Sequence, residues 1–181
     1  HEDEFVREWT VRLIGDRYTV STDVLRLLVE MAVSDPSIHV RKQLAASARR
    51  LSPRQAIPVI RALMQHDEDS TDIHQPLMLW WAIESKAGNN RNEIVGLFRD
   101  KELWGLPLVK AHLLDRIIRR YALAGSSQDF LVCAKLLQLA PSQGHQQTLI
   151  NRADNLPFDL NPGLADPLQQ SLHVTRPAAS D

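Results

Sequence analysis

Cysteine and glycine are scarce in this chain, and several common site motifs are missing. Cys133 is the one cysteine among 181 residues, so an internal disulfide is excluded. The seven glycines form no Gly-x-Gly-x-x-Gly, phosphate-binding loop or Gly-x-Ser-x-Gly, so a nucleotide cradle and a hydrolase nucleophile elbow are not expected. Because no apolar run approaches the roughly 20 residues that span a bilayer, we expect no direct membrane insertion.

Neither sign of charge dominates the composition. Lysine and arginine number 21 against 22 aspartates and glutamates, which gives a formal net charge of -1. Contact with a phosphate backbone normally requires a broad basic excess. We therefore expect no general attraction for nucleic acid, and any basic site has to be local.

An internal repeat of about 35 residues is the most informative feature that is present. Phe5-Val6-Arg7 aligns with His39-Val40-Arg41, then with His74-Gln75-Pro76 and Val109-Lys110-Ala111, at shifts of 34, 35 and 35 residues. Each block continues as an apolar-periodic stretch, a turn and a second apolar stretch, which predicts stacked helix pairs. We predict an all-α fold, a right-handed α-solenoid of about four helix pairs plus a partial fifth. This domain covers residues 1–153, and an irregular C-terminal tail covers residues 154–181.

The first predicted helix, about Glu4 to Ile14, carries an apolar stripe. Its members are Phe5, Val6, Trp9 and Leu13. Such spacing predicts a face that packs against a neighbouring helix. Alternatively, the chain is a piece cut from a longer solenoid. Its end helix would then keep an apolar face that packed against a preceding domain.

Three segments resemble HEAT-type repeats: Trp9 to Asp16, Asp35 to Leu51, and Ile57 to Ser85. More narrowly, they are similar to the repeats inside large planctomycete-type haem-binding proteins that resemble membrane-bound dehydrogenases. The Leu-Trp-Trp-Ala stretch at residues 79–82 carries most of this narrower likeness. The resemblance covers about Glu2 to Ala124, and it implies that the helix pairs are HEAT-like.

The resemblance also implies a setting for the chain. In that family a sugar-dehydrogenase-like β-propeller precedes the repeats and a c-type haem motif follows them, in an exported, periplasmic, membrane-associated protein. Any oxidoreductase-like activity and any haem would then belong to neighbouring domains. Here Ala-Lys-Leu-Leu follows Cys133 where a haem motif needs Cys-x-x-Cys-His, so we expect no cofactor in this chain. The start at His1, followed by acidic residues, suggests a mature form or an excised piece.

No group of residues points to catalysis or to a metal. The seven histidines include no pair at the i, i+4 spacing of zinc ligands on a helix. The acidic turn Asp67-Glu68-Asp69, with Asp72, places Met78 where a calcium loop needs a bidentate glutamate, so we predict a solvated turn that also caps a helix. Apolar residues surround Cys133 in the sequence, and this predicts a buried, inert thiol.

Two sets of residues are candidates for an interaction surface. Trp80 and Trp81 point about 100° apart on a helix, so one of them reaches the edge of the apolar face. Both indoles can be core residues, or the outer one can anchor a partner. Two groups of arginines allow two interpretations. Either they form faces that are solvated or paired with carboxylates, or they form part of a basic groove together with tryptophan. They are Arg49, Arg50, Arg54 and Arg61, and then Arg116, Arg119 and Arg120.

Together these observations predict a non-catalytic helical-repeat scaffold. Its partners would be another protein or adjacent domains of the same polypeptide. The predicted interaction surface comprises Trp81, Arg61, His74, Arg116, Arg119 and Arg120. The alternative is a nucleic-acid-binding helical-repeat module, similar to DNA glycosylases, that uses a concave Arg/Trp groove.

Overall fold

A computed structural model describes residues 1–154, and this range is all-α, as predicted, with no strand. Its α-helices are α1 (Glu4–Gly15), α2 (Thr22–Ser34), α3 (Ile38–Ala48), α4 (Pro53–Leu63), α5 (Gln75–Ala87), α6 (Arg91–Leu97), α7 (Leu114–Ala124), α8 (Ser127–Leu139) and α9 (Gln143–Asp154). Short 3-10 turns occupy Asp67–Thr71 and Glu102–Gly105, and a π-helical turn at Val109–Leu113 leads into α7. The predicted tail lies outside the described residues, apart from Asp154 at the end of α9.

The chain divides into two compact units, His1–Arg116 and a second unit that begins at Ile117. In the first unit, α3 packs between α1 and α5, and α4 packs between α2 and α6. Helix α3 also packs on α4, and α5 packs on α6. Helices that are one sequence repeat apart are therefore neighbours in space. None of the helices in residues 1–154 is long and apolar enough to cross a bilayer.

The second unit buries the single cysteine. Cys133 of α8 is 1% exposed, and its Sγ lies 3.9 Å from the carbonyl oxygen of Ile118. Desolvation, with a smaller contribution from Asp129, raises the pKa of the thiol to about 12. Cys133 is therefore a protonated, buried thiol, as predicted.

The apolar stripe of α1 does not pack as predicted. Phe5, Val6, Trp9 and Leu13 are 60%, 44%, 58% and 63% exposed. Helix α1 instead turns Gly15 toward α3, and a Cβ built on Gly15 would lie 2.6 Å from the Cβ of Ser47. Because this close approach fixes the orientation of α1, its stripe is left on the surface within the described part of the chain.

Two arginine–aspartate pairs recur with the repeat. The Nε of Arg7 donates to Asp35 at 2.7 Å, and the Nε of Arg41 donates to Asp69 at 2.8 Å, each across 28 residues of sequence. The Nη1 of Arg41 also donates to the carbonyl oxygen of Asp35 at 2.8 Å, so the second pair is tied to the first. The prediction of a solvated acidic turn is wrong for Asp69, which is 2% exposed because it pairs with the buried Arg41.

Candidate interaction groove

A groove of about 310 Å³ crosses α1, α3 and α5 in the first unit. We call it the α1–α3–α5 groove. Its lining residues are Glu8, His39, Lys42, Gln43, His74, Leu77, Met78 and Trp81. His39 and His74 hold equivalent positions in successive repeats, and His74 and Trp81 belong to the predicted interaction surface.

Trp81 supplies the large apolar side chain of the groove. It is 43% exposed, whereas its neighbour Trp80 is 7% exposed and lies in the core. The prediction that one indole reaches the edge is confirmed, and the outer one is Trp81. Leu77 and Met78 lie four and three residues before Trp81, so the three side chains occupy one face of α5. This face offers an apolar patch that a partner side chain can cover.

The polar rim of the groove is held by Asp72, which precedes α5. The Nζ of Lys42 donates to Asp72 at 2.8 Å. The other carboxylate oxygen accepts hydrogen bonds from the backbone N–H groups of His74 and Gln75, at 2.8 and 2.7 Å. Asp72 therefore fixes both the first turn of α5 and the position of Lys42, and the predicted helix cap in the acidic turn is confirmed at this residue.

The same contacts perturb the ionisation of Asp72. Desolvation acts to raise its pKa, but the hydrogen bonds from Lys42, Gln75 and His74 outweigh it and lower the pKa from 3.8 to about 2. A carboxylate with a depressed folded-state pKa stabilises the fold above its unfolded-state pKa. That stabilisation is lost as the pH falls from about 4 through about 2.

Replacing Asp72 with asparagine should therefore flatten the acid side of the stability curve. We expect the wild type to lose about 1–2 kcal/mol more than Asp72→Asn between pH 5 and pH 2, because the amide cannot be protonated in this range. Urea unfolding at several pH values measures the difference. Parallel curves for the two proteins would show that Asp72 has no depressed pKa.

The structure separates Arg61 from this groove. Arg61 lies on α4, in the other row of helices, and pairs with Asp100. Arg50 similarly pairs with Asp16, with 3.2 Å between Nη2 and Oδ1. Arg50 and Arg61 are therefore paired with carboxylates, which is one of the two interpretations drawn from the sequence. Arg61 is not among the residues that line the groove with Trp81, so the structure does not bring these two residues together there.

The other three arginines of the predicted interaction surface lie on α7. Arg116 is exposed and closes the first unit, while Arg119 and Arg120 are half-buried and belong to the second unit. Arg116 does not line the α1–α3–α5 groove. Arg116, Arg119 and Arg120 therefore share one helix at i, i+3, i+4 spacing. Arg116 nevertheless lies outside the groove that contains Trp81.

The sequence interpretation missed most of the groove. It did not propose Glu8, His39, Lys42, Gln43, Leu77 or Met78. The repeat alignment already placed His39 and His74 in the same register, which is a signal that adjacent helices present them side by side. Leu77 and Met78 stand one turn before Trp81, so helical spacing also pointed to them.

The side chains that line the groove form no metal-binding cluster. Within residues 1–154, no cluster of three or more histidine, cysteine, aspartate or glutamate side chains can hold a metal ion. A c-type haem needs two thiols, and the single cysteine is buried, so this chain does not fit that group. Comparisons with protein-family models, with curated proteins and with solved structures find no match.

Proposed function

We propose that the chain is a non-catalytic scaffold, an α-solenoid of HEAT-like helix pairs that binds a protein partner in the α1–α3–α5 groove. The packing order supports the solenoid: α1, α3 and α5 form one row, and α2, α4 and α6 form a second. Stacked pairs present an extended surface in which one groove crosses several repeats. The groove also suits a scaffold role because it offers an apolar contact surface beside polar side chains.

Trp81 is the observation that carries this proposal. It is a large side chain left 43% exposed in a helix whose other face is core. Tryptophan is enriched among the few residues that dominate binding energy, usually inside a polar rim that excludes water. Leu77 and Met78 extend the apolar patch, and Lys42, held by Asp72, supplies the rim. The matching ligand is a peptide segment with one large apolar side chain.

The family resemblance supports a narrower proposal about the partner. We propose that the chain belongs to a larger exported protein with a haem-containing domain, so that adjacent domains of the same polypeptide are candidate partners. The Leu-Trp-Trp-Ala stretch that carries the resemblance includes Trp81 itself. A nucleic-acid role has no comparable support, because Arg61 is paired with Asp100 and lies away from the groove.

A peptide-binding experiment tests the groove. Peptides are selected from a displayed random library on the immobilised chain, and their affinities are measured by fluorescence anisotropy. We expect Trp81→Ala to weaken binding by about tenfold or more, as for a hot-spot residue. Because Trp81 is partly exposed, the unfolding midpoint should change little.

The matched control is Leu27→Ala. Leu27 is 51% exposed, but it lies on α2, outside the groove. This variant should bind the selected peptides as the wild type does. If Trp81→Ala and Leu27→Ala bind the peptides equally well, Trp81 is not the anchor and the proposed groove function fails.

A further inference from the structure

Histidines from two successive repeats line the α1–α3–α5 groove. His39 lies in the first turn of α3, His74 directly precedes α5, and both residues are exposed. Helices α3 and α5 pack against each other, so equivalent repeat positions bring the two imidazoles to the same surface. An imidazole acquires a proton between pH 8 and pH 5, a range in which carboxylates and ammonium groups ordinarily keep their charges. The apolar patch around Trp81 therefore has two titratable cations beside it.

The other charges of the groove nearly cancel. Glu8 on α1 and Lys42 on α3 have opposite signs, and Asp72 adds a carboxylate 2.8 Å from the Nζ of Lys42. While the imidazoles are neutral, these three groups carry a net charge of -1, from two anions and one cation. Protonation of His39 and His74 adds two positive charges and brings the net charge to +1. A ligand in the groove therefore meets a charge that depends on pH.

Charged residues around the groove set a constant background. Glu4 and Arg12 have opposite signs and lie one turn to either side of the lining carboxylate on α1. Arg7 and Arg41 are each paired with an aspartate, and Glu84 makes a contact of its own outside the lining. Carboxylates and guanidinium groups do not titrate with the imidazoles. The pH-dependent part of the charge therefore comes from the histidines.

The other histidines of the first unit are His1, His66 and His112, and none of them lines the groove. The Nε2 atoms of His66 and His112 each lie 2.8 Å from a backbone carbonyl oxygen, and the Nδ1 atom of His66 lies 3.0 Å from Glu68. Their protonation changes the charge at those contacts. The change inside the groove is assigned to His39 and His74.

We propose that the groove selects peptides with a carboxylate beside the large apolar anchor, and that it binds them more tightly at about pH 5.5 than at about pH 7.5. This inference rests on the proposed function, because Trp81 supplies the apolar contact. A ligand carboxylate between α3 and α5 faces both imidazoles, and each imidazolium adds a charge-assisted hydrogen bond. Lys42 donates one of its three N–H groups to Asp72, so donors remain for the same carboxylate. The partner is thus an acidic peptide segment.

Peptides selected on the immobilised chain supply the probes. Each is made in three forms, with glutamate, glutamine or lysine beside the apolar anchor, and fluorescence anisotropy measures binding at about pH 7.5 and about pH 5.5. We expect the glutamate form to gain about fivefold or more in affinity at the lower pH, the glutamine form to change little and the lysine form to lose affinity. A glutamate form that gains no more than the glutamine form would overturn the proposal. Preference for lysine at both pH values would assign the groove to basic ligands instead.

Variants at the two histidines identify the groups responsible. The double variant His39→Gln/His74→Gln should abolish the gain of the glutamate form and should bind the glutamine form as the wild type does. His145→Gln is the matched control, because His145 lies on α9 in the second unit and does not line the groove. This control should keep the full gain. A gain that persists in the double variant would contradict the role of the groove histidines.

The glutamine form separates this inference from the proposed function. If Trp81→Ala binds the glutamine form as tightly as the wild type does, the groove function itself fails. If Trp81→Ala weakens binding but all three forms follow one pH profile, only the selection for a carboxylate fails. Glu8→Gln removes a carboxylate from the lining and should tighten binding of the glutamate form by about twofold at both pH values. Weaker binding by Glu8→Gln would contradict the placement of the ligand carboxylate.

Discussion

Replacing Arg41 with methionine is expected to lower the free energy of unfolding by about 3–5 kcal/mol, because it leaves a buried carboxylate without its partner. The side chains of Arg41 and Asp69 are 5% and 2% exposed. The guanidinium makes bonds to both Asp69 oxygens and to the Asp35 carbonyl oxygen. Methionine fills a similar volume, so the loss comes from the polar contacts and not from a cavity. Urea unfolding followed by circular dichroism measures it.

Two further variants identify the cause of this loss. Arg41→Met combined with Asp69→Leu removes the stranded carboxylate and should recover most of the stability, because a well-packed apolar pair can replace a buried ion pair. Arg7→Met breaks the equivalent pair one repeat earlier. Asp35, at 4% exposed, is almost as buried as Asp69, but without Arg7 it keeps the hydrogen bond from the backbone N–H of Ser37, so this loss should be smaller. Equal losses for Arg41→Met and Arg7→Met would show that the Ser37 hydrogen bond does not offset the loss of the guanidinium.

Gly15→Ala is expected to destabilise the chain by about 2 kcal/mol, although alanine is the better helix former. An added Cβ would lie 2.5 Å from the Oγ and 3.1 Å from the Cα of Ser47, so backbone as well as side chain would have to move. The contact joins α1 to α3, and the Oγ of Ser47 also donates to the carbonyl oxygen of Val11 at 3.2 Å. Thermal or urea unfolding measures the change.

Gly96 provides the matched control for Gly15. It lies in α6, and a Cβ there would meet nothing within 4 Å. Gly96→Ala should therefore stabilise the chain by about 0.5–1 kcal/mol through helix propensity alone. Adding Ser47→Gly to Gly15→Ala should restore part of the lost stability. A stabilising effect of Gly15→Ala would mean that α1 and α3 are not in close contact.

The candidate site shows how far sequence patterns reach. Helical spacing predicted that one of Trp80 and Trp81 reaches the surface, and the structure identifies Trp81. The same kind of spacing predicted that the α1 stripe is packed, and there it was wrong. An apolar stripe specifies only that a face suits burial, whereas a neighbouring helix decides whether the face is covered. Here the close contact between Gly15 and Ser47, which lie 32 residues apart in the sequence, orients α1 and leaves its stripe exposed in residues 1–154.

What the sequence alone determined is the all-α character of residues 1–154, because helix formation follows from contacts three and four residues apart. The repeat spacing likewise placed His39 and His74 in one register. Only the tertiary structure decided the partners of the charged residues. Arg61 meets Asp100 across 39 residues, and Arg41 meets Asp69 across 28. Such pairs depend on which helices lie side by side, and no local pattern in the sequence records that adjacency.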